Sequence, residues 1–158
     1  LGRSGLDGWC GRRFERLGVA GGIEFVDDYA HHPTELVATL AAARQAYPGR
    51  RLVAVFQPHL YSRTAEHSVA MGQALTGADL SIVTAIYPAR EQPMPGITSQ
   101  LVVDAAGAAG AEVLYEPDKT KLRERLLAVT RAGDVVITLG AGDITRVGRE
   151  LVQWLRAA

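Results

Sequence analysis

Apolar positions recur along this chain with two alternating periods. Residues 52–56, Leu-Val-Ala-Val-Phe, form an unbroken apolar run bounded by Arg51 and Pro58. Such a run marks a strand covered on both faces, as in a parallel sheet. Residues 34–47 place Leu36, Leu40 and Ala43 on one helical face, and Pro48-Gly49 stops the pattern. Residues 13–19 read as a short edge strand that turns at Ala20-Gly21-Gly22 into a strand over 23–27. The alternation continues with a helix from about 63 to 75, a strand over 79–85 and a helix over 98–107. A strand over 112–115, a helix over 119–131, a strand over 134–139 and a helix over 143–156 complete it. Residues 87–96 hold three prolines and a glycine and read as a loop long enough to do more than connect. Strand and helix alternating after residue 22 imply an α/β domain. Its sheet has about six mostly parallel strands, helices on both faces and a short antiparallel N-terminal strand. Residues 1–12 are Gly-rich and poorly patterned, so the domain is expected over 13–158 behind a linker or disordered N-terminal segment.

Composition narrows the partners. The 158 residues suffice for one domain with a real core. Seventeen basic side chains cancel seventeen acidic ones, which argues against a nucleic-acid or membrane partner held by bulk electrostatics. A local basic pocket stays open. The single cysteine, Cys10, allows no internal disulfide and fits a reducing compartment. No apolar run approaches the ~18 residues of a membrane span. The start lacks the apolar stretch of a signal peptide and an initiator Met, so the chain reads as a fragment of something longer.

Chemistry-bearing residues concentrate where strands give way to helices, the usual ligand edge of an α/β sheet. The first cluster is Asp27-Asp28-Tyr29-Ala30-His31-His32-Pro33-Thr34-Glu35. Adjacent strand residues point to opposite faces, so one aspartate reaches a ligand while the other anchors a loop or caps a helix. Spacing does not say which. The structural alternative is a capped helix start opened by Thr34 or by His32-Pro33. Side-by-side histidines diverge, whereas metal-ligating histidines on a helix sit one turn apart. A small metal-dependent hydrolase using Asp27, Asp28, His31, His32 and His59 is nonetheless a rival reading, as is a stand-alone binding module.

The second cluster is Phe56-Gln57-Pro58-His59-Leu60-Tyr61-Ser62-Arg63-Thr64, with Ser62 or Thr64 as helix caps. Arg63 in a first helical turn opposes the macrodipole, which points to an anionic ligand unless the side chain lies along the surface in solvent. His59 is either a ligand contact or a buried loop residue. The third cluster, Gly140-Ala141-Gly142-Asp143, resembles the start of a dinucleotide fingerprint, but too little chain follows for one. Its glycines then serve close approach of a ligand or a neighbouring loop, with Asp143 as a helix cap. Arg12-Arg13 could hold phosphate in bidentate fashion or lie in solvent. No phosphate-cradling G-x-x-x-x-G-K-[ST] is present, which argues against a self-contained nucleotidase or kinase.

These motifs, with Tyr87-Pro88-Ala89-Arg90-Glu91 and Pro95-Gly96, give the chain a family likeness. From Gly11 to the C-terminus it resembles the C-terminal domain of the Mur ligases, and among them the bacterial UDP-N-acetylmuramate–L-alanine ligases. The double histidine after Asp-Asp-Tyr favours this alanine-adding branch. The resemblance implies a Rossmann-like three-layer domain of a cytoplasmic, ATP- and Mg²⁺-dependent enzyme of peptidoglycan synthesis. In that parent an N-terminal domain holds the UDP-sugar, a central P-loop domain binds ATP, and this domain closes over both. The muramoyl carboxylate is activated as an acyl phosphate, which the amine of L-alanine attacks. The resemblance further implies that Arg13 and Asp28 meet the ribose and phosphates of ATP. Tyr29, His31, His59 and Arg63 line the alanine and UDP-N-acetylmuramate side, with Arg63 and His59 serving catalysis. It departs at Leu60, where many members carry arginine, so one cationic contact is missing. The isolated domain is expected to be inactive, because the phosphate loop, Mg²⁺ ligands and most of the sugar site lie elsewhere.

Overall fold

The computed structural model describes residues 13–158. The expected linker over 1–12, with Cys10 and Arg12, lies outside the described residues. The elements are β1 (Glu15–Ala20), β2 (Ile23–Asp28), α1 (Pro33–Ala46), β3 (Leu52–Phe56), α2 (Tyr61–Ala74) and β4 (Leu80–Val83). They continue with α3 (Gln100–Ala108), β5 (Val113–Tyr115), α4 (Leu122–Val129), β6 (Val135–Leu139) and α5 (Thr145–Ala157). The six strands form one sheet in the order β1-β2-β6-β3-β4-β5. Only β1 and β2 pair antiparallel; all other neighbours are parallel.

The last strand in sequence fills the centre. β6 lies between β2 and β3, so Val135–Leu139 and Leu52–Phe56 are buried at every position. That explains why both read as unbroken apolar runs. Alternate strand residues feed two cores. Val26, Phe56, Val83 and Ile137 pack with Leu36 and Leu40 of α1, Met71 of α2 and Val102 of α3. Phe25, Val55, Ile82 and Val136 pack on the opposite face with Leu122 and Leu126 of α4 and Leu151 of α5. Helices therefore cover both faces, three on one and two on the other. No described helix is long and apolar enough to cross a membrane.

Helix starts differ from the sequence pattern: α1 begins one residue early, at Pro33, and α3 two residues late, at Gln100. α2 begins at Tyr61, ahead of the expected position near 63. The helix expected over 119–131 opens as a 3-10 turn, Lys119–Lys121, because the Asp118 carboxylate accepts the Thr120 N–H at 3.0 Å. α5 begins at Thr145 rather than at 143.

Two helical glycines meet opposite surroundings. A Cβ on Gly72 of α2 would lie 2.5 Å from the Ala106 nitrogen, so α2 and α3 touch there backbone to backbone. A Cβ on Gly107 of α3 would meet nothing within 4 Å. Gly107→Ala is therefore expected to stabilise the fold by about 0.5–1 kcal/mol through helix propensity alone. Gly72→Ala is expected to destabilise it by about 1–3 kcal/mol through overpacking. Urea unfolding midpoints of the two variants check the opposite signs.

Candidate functional site

Parallel pairing brings the carboxyl ends of β2, β6, β3 and β4 to one rim. Because β1 runs antiparallel, with Glu15 opposite Asp27, the residues just before it reach the same rim. Five polypeptide segments thus meet there, including both clusters singled out in the sequence.

Asp27 and Asp28 end β2 and separate as the pleat demands. Asp27, fully buried, accepts the hydroxyls of Thr138 in β6 at 2.7 Å and of Thr145 in α5 at 2.8 Å. Asp28, 2% exposed, turns to the other face. Its Oδ2 accepts the Phe14 N–H at 2.7 Å and its Oδ1 the Ala30 N–H at 2.8 Å. Burial pushes the Asp28 carboxyl above the usual carboxylate range, although both N–H groups and Arg13 work against it. Asp28 therefore fixes the two chain segments that carry Arg13 and Tyr29.

The first turn of α1 is organised by Glu35. Its Oε1 accepts the N–H groups of His32 at 3.0 Å and His31 at 3.2 Å, while Oε2 takes the Arg13 guanidinium at 3.1 Å. His32 is the N-cap residue and Pro33 opens the helix, as one of the two sequence alternatives has it. Nδ1 of His31 lies 3.0 Å from the Tyr29 carbonyl. A carbonyl only accepts, so Nδ1 carries a proton in this contact.

The loop after β3 delivers the second histidine. Leu60, the N-cap of α2, sits at φ 72° and ψ 137°, a region that residues with a Cβ rarely enter. The strained turn is held on both sides. Its N–H donates to the Tyr87 carbonyl at 2.9 Å, and its carbonyl accepts the N–H and hydroxyl of Thr64 at 3.1 and 2.8 Å. The Tyr87 N–H in turn donates to the Pro58 carbonyl at 2.8 Å. His59 is thereby stacked on Tyr87 with centroids 5.6 Å apart and stands 5.5 Å from His31, which meets Tyr29 edge-on at 5.2 Å. These four rings cross the rim as a continuous ladder. Burial pushes the His59 imidazole below the ordinary histidine range, and His31 and Arg63 push further against an opposing Glu91. Nδ1 of His59 is buried with no partner among the described residues. Arg63 is half-buried, and no hydrogen-bond or carboxylate partner for its guanidinium occurs among the described residues.

The glycine-rich loop after β6 serves close approach to a neighbouring loop. A Cβ on Gly142 would lie 2.5 Å from the Tyr87 ring and 2.7 Å from Oε1 of Gln57. Gln57 donates from Nε2 to Asp143 at 2.8 Å and accepts the Ile144 N–H at 3.2 Å. Lys119 completes this bracket with an ion pair to Asp143. Asp143 is thus not the helix cap expected of it: α5 starts after Ile144, and the carboxylate serves long-range pairing instead. Neither Ser62 nor Thr64 caps α2. Ser62 turns its hydroxyl to Glu91 and Thr64 bonds back to Leu60.

All six residues picked from the sequence therefore share one rim: Arg13, Asp28, Tyr29, His31, His59 and Arg63. Glu35, Gln57, Tyr87, Glu91 and Asp143 support them; of these five the sequence suggests a role only for Asp143, as a helix cap. All five lie in the strand-end motifs, which is the signal the sequence carries for them. The five-residue hydrolase set is split, with Asp27 and Asp28 on opposite faces. No group of three or more His, Cys, Asp or Glu is placed to hold a metal among the described residues.

An α/β domain of this sequence and fold has known counterparts. The chain belongs to the Mur ligase family, matching its glutamate ligase domain over residues 12–142. It is 56% identical over 142 residues to the UDP-N-acetylmuramate–L-alanine ligase of Cutibacterium acnes, covering 89% of this chain and 30% of that enzyme. To the Mycolicibacterium gilvum enzyme of the same name it is 46% identical over 159 residues, covering 99% of this chain and 33% of that one. The crystal structure of UDP-N-acetylmuramate-alanine ligase MurC from Thermotoga maritima superposes with a TM-score of 0.74 at 25% identity, over 92% of this chain and 30% of that one. The chain thus spans about a third of the length of the curated relatives it matches.

The environment of His59 has a consequence for stability. An unfolded histidine takes up a proton near pH 6.5, while folded His59 resists it. The unfolded state then binds more protons, so stability is lost as pH falls from about 6.5 towards the folded-state value. His59→Gln is expected to flatten that part of a plot of urea midpoint against pH. An unchanged slope would contradict a buried neutral imidazole.

Proposed function

We propose that this domain forms the amino-acid side of an ATP-dependent ligase that joins L-alanine to UDP-N-acetylmuramate in cytoplasmic peptidoglycan synthesis. The observation that carries the reading is a half-buried Arg63 guanidinium, unpartnered among the described residues, beside a histidine kept neutral by burial. The relatives' names supply the substrates.

The muramoyl carboxylate takes the terminal phosphoryl group of ATP, giving an acyl phosphate and ADP. L-alanine arrives as an ammonium and must lose a proton before its nitrogen can attack. His59, neutral and at the rim, accepts that proton. The amine adds to the acyl carbon and gives up a second proton to water, the tetrahedral intermediate collapses to the amide, and phosphate leaves with the C–O electron pair. Arg63 holds the alanine carboxylate or the developing charge on the acyl phosphate by a forked contact. Tyr29 and His31 line the same wall. Arg13 reaches the nucleotide side, and Asp28 fixes the backbone from which Arg13 extends.

Mg²⁺ offsets phosphate charge in such chemistry. The Asp27 and Asp28 oxygens are engaged by hydroxyl and N–H donors, so its ligands are assigned to the absent domains, with the P-loop and the sugar site.

In the full-length enzyme, Arg63→Ala is expected to lower kcat/KM for L-alanine by roughly 10²–10³, the scale of removing a positioned charge-stabilising donor. Arg63→Lys is expected to recover little of it, since an ammonium lacks the planar fork. Alanine-dependent phosphate release measures both. The 158-residue chain titrated alone with ATP in a calorimeter is expected to show weak or undetectable binding. A low-micromolar affinity would overturn the division of labour between domains.

A further inference from the structure

Glu91 lies on the loop between β4 and α3, outside the residues given substrate roles above. It carries out a task that α2 does not perform for itself. The N-cap residue of α2 is Leu60, which has no side-chain acceptor, and Ser62 and Thr64 bond elsewhere. The Ser62 N–H, exposed at the first turn, donates to Oε1 of Glu91 at 3.1 Å, and the Ser62 hydroxyl donates to Oε2. A carboxylate 29 residues further along the chain thus caps the helix.

Two further observations tie Glu91 to the rim chemistry. The cap holds Ser62, which directly precedes Arg63, and the same segment carries His59 before the strained Leu60. The loop that presents Glu91 is itself strained, with Ala89 at φ 53°, and is stitched to the His59 segment by the Leu60–Tyr87 and Tyr87–Pro58 backbone bonds. Glu91 also answers the electrostatic difficulty of Arg63. A cation in a first helical turn is unfavourable, and an anion at the same terminus offsets it. Because both Glu91 oxygens are engaged by Ser62, that offset comes without a hydrogen bond or ion pair to the guanidinium.

We infer that Glu91 is a positioning residue for the amide-forming step: it locks the 59–63 segment so that His59 and Arg63 face the substrate together, while leaving Arg63 unpaired. This inference rests on the reading given under Proposed function. The groups that bear on His59 are His31 from the β2–α1 turn, Arg63 from α2, and Glu91 with Tyr87 from the β4–α3 loop. Of these only Glu91 favours the protonated ring.

The test uses the full-length enzyme and follows alanine-dependent phosphate release against pH, with the His59 imidazole titrated by NMR of histidine-labelled protein. Glu91→Gln keeps an acceptor of the same size and removes the charge. It is expected to lower kcat by on the order of tenfold, a loss in keeping with small misplacement of reacting groups, with less change in KM for L-alanine. The acid limb of the rate profile and the His59 titration are both expected to move to lower pH. Ser62→Ala removes one contact and keeps the charge, so its limb is expected to stay in place. Wild-type kcat with a wild-type limb in Glu91→Gln would overturn the inference. So would equal losses in both variants with no movement of the limb, since that is the signature of a structural cap alone. Wild-type enzyme with no alanine-dependent turnover would instead refute the proposed function, and the NMR titration would still decide whether Glu91 acts on His59.

Discussion

Neighbouring residues of a strand cannot share a face, and the rim of this domain is built on that constraint. Asp27 and Asp28 leave β2 in opposite directions. One carboxylate ties the strand to β6 and α5 through two hydroxyls; the other ties it to the backbone before β1 and after β2. A single dipeptide thereby couples both helical layers to the ligand edge. An ionised carboxylate buried without donors would cost several kcal/mol, so each of these contacts is obligatory rather than decorative.

The same economy governs charge. Glu35 is occupied by two N–H groups and Arg13, Glu91 by Ser62, and Asp143 by Gln57 and Lys119. The acidic groups of the rim are occupied in supporting loops. What is left without a carboxylate partner among the described residues is the Arg63 guanidinium beside a ladder of rings, a local feature that the zero net charge of the chain does not reveal.

Much of this was legible in the sequence. β3 was read with its observed bounds because a strand buried on both faces must be apolar throughout, and β6 differed by one residue. Five of the six rim residues lie in the strand-to-helix junctions after β2 and β3 and Arg13 lies ahead of β1; the family resemblance, not spacing, supplies their expected roles. The glycines near 140 were read as sites of close approach, and Gln57 and Tyr87 occupy that space. What stayed hidden was long-range. The pleat says that Asp27 and Asp28 diverge, but the face each takes depends on which helices cover which side. Helix starts were misplaced where the cap comes from afar, as Glu91 does for α2. Nothing local to residue 143 announces partners at 57 and 119.

Leu60 keeps a branched side chain in a backbone basin that glycine enters freely. Holding it there costs on the order of 1–3 kcal/mol, met by the hydrogen bonds that clasp the turn from Tyr87 and Thr64. The seat of the histidine therefore depends on both sides of the clasp, and the strain at one residue is what ties the two loops together.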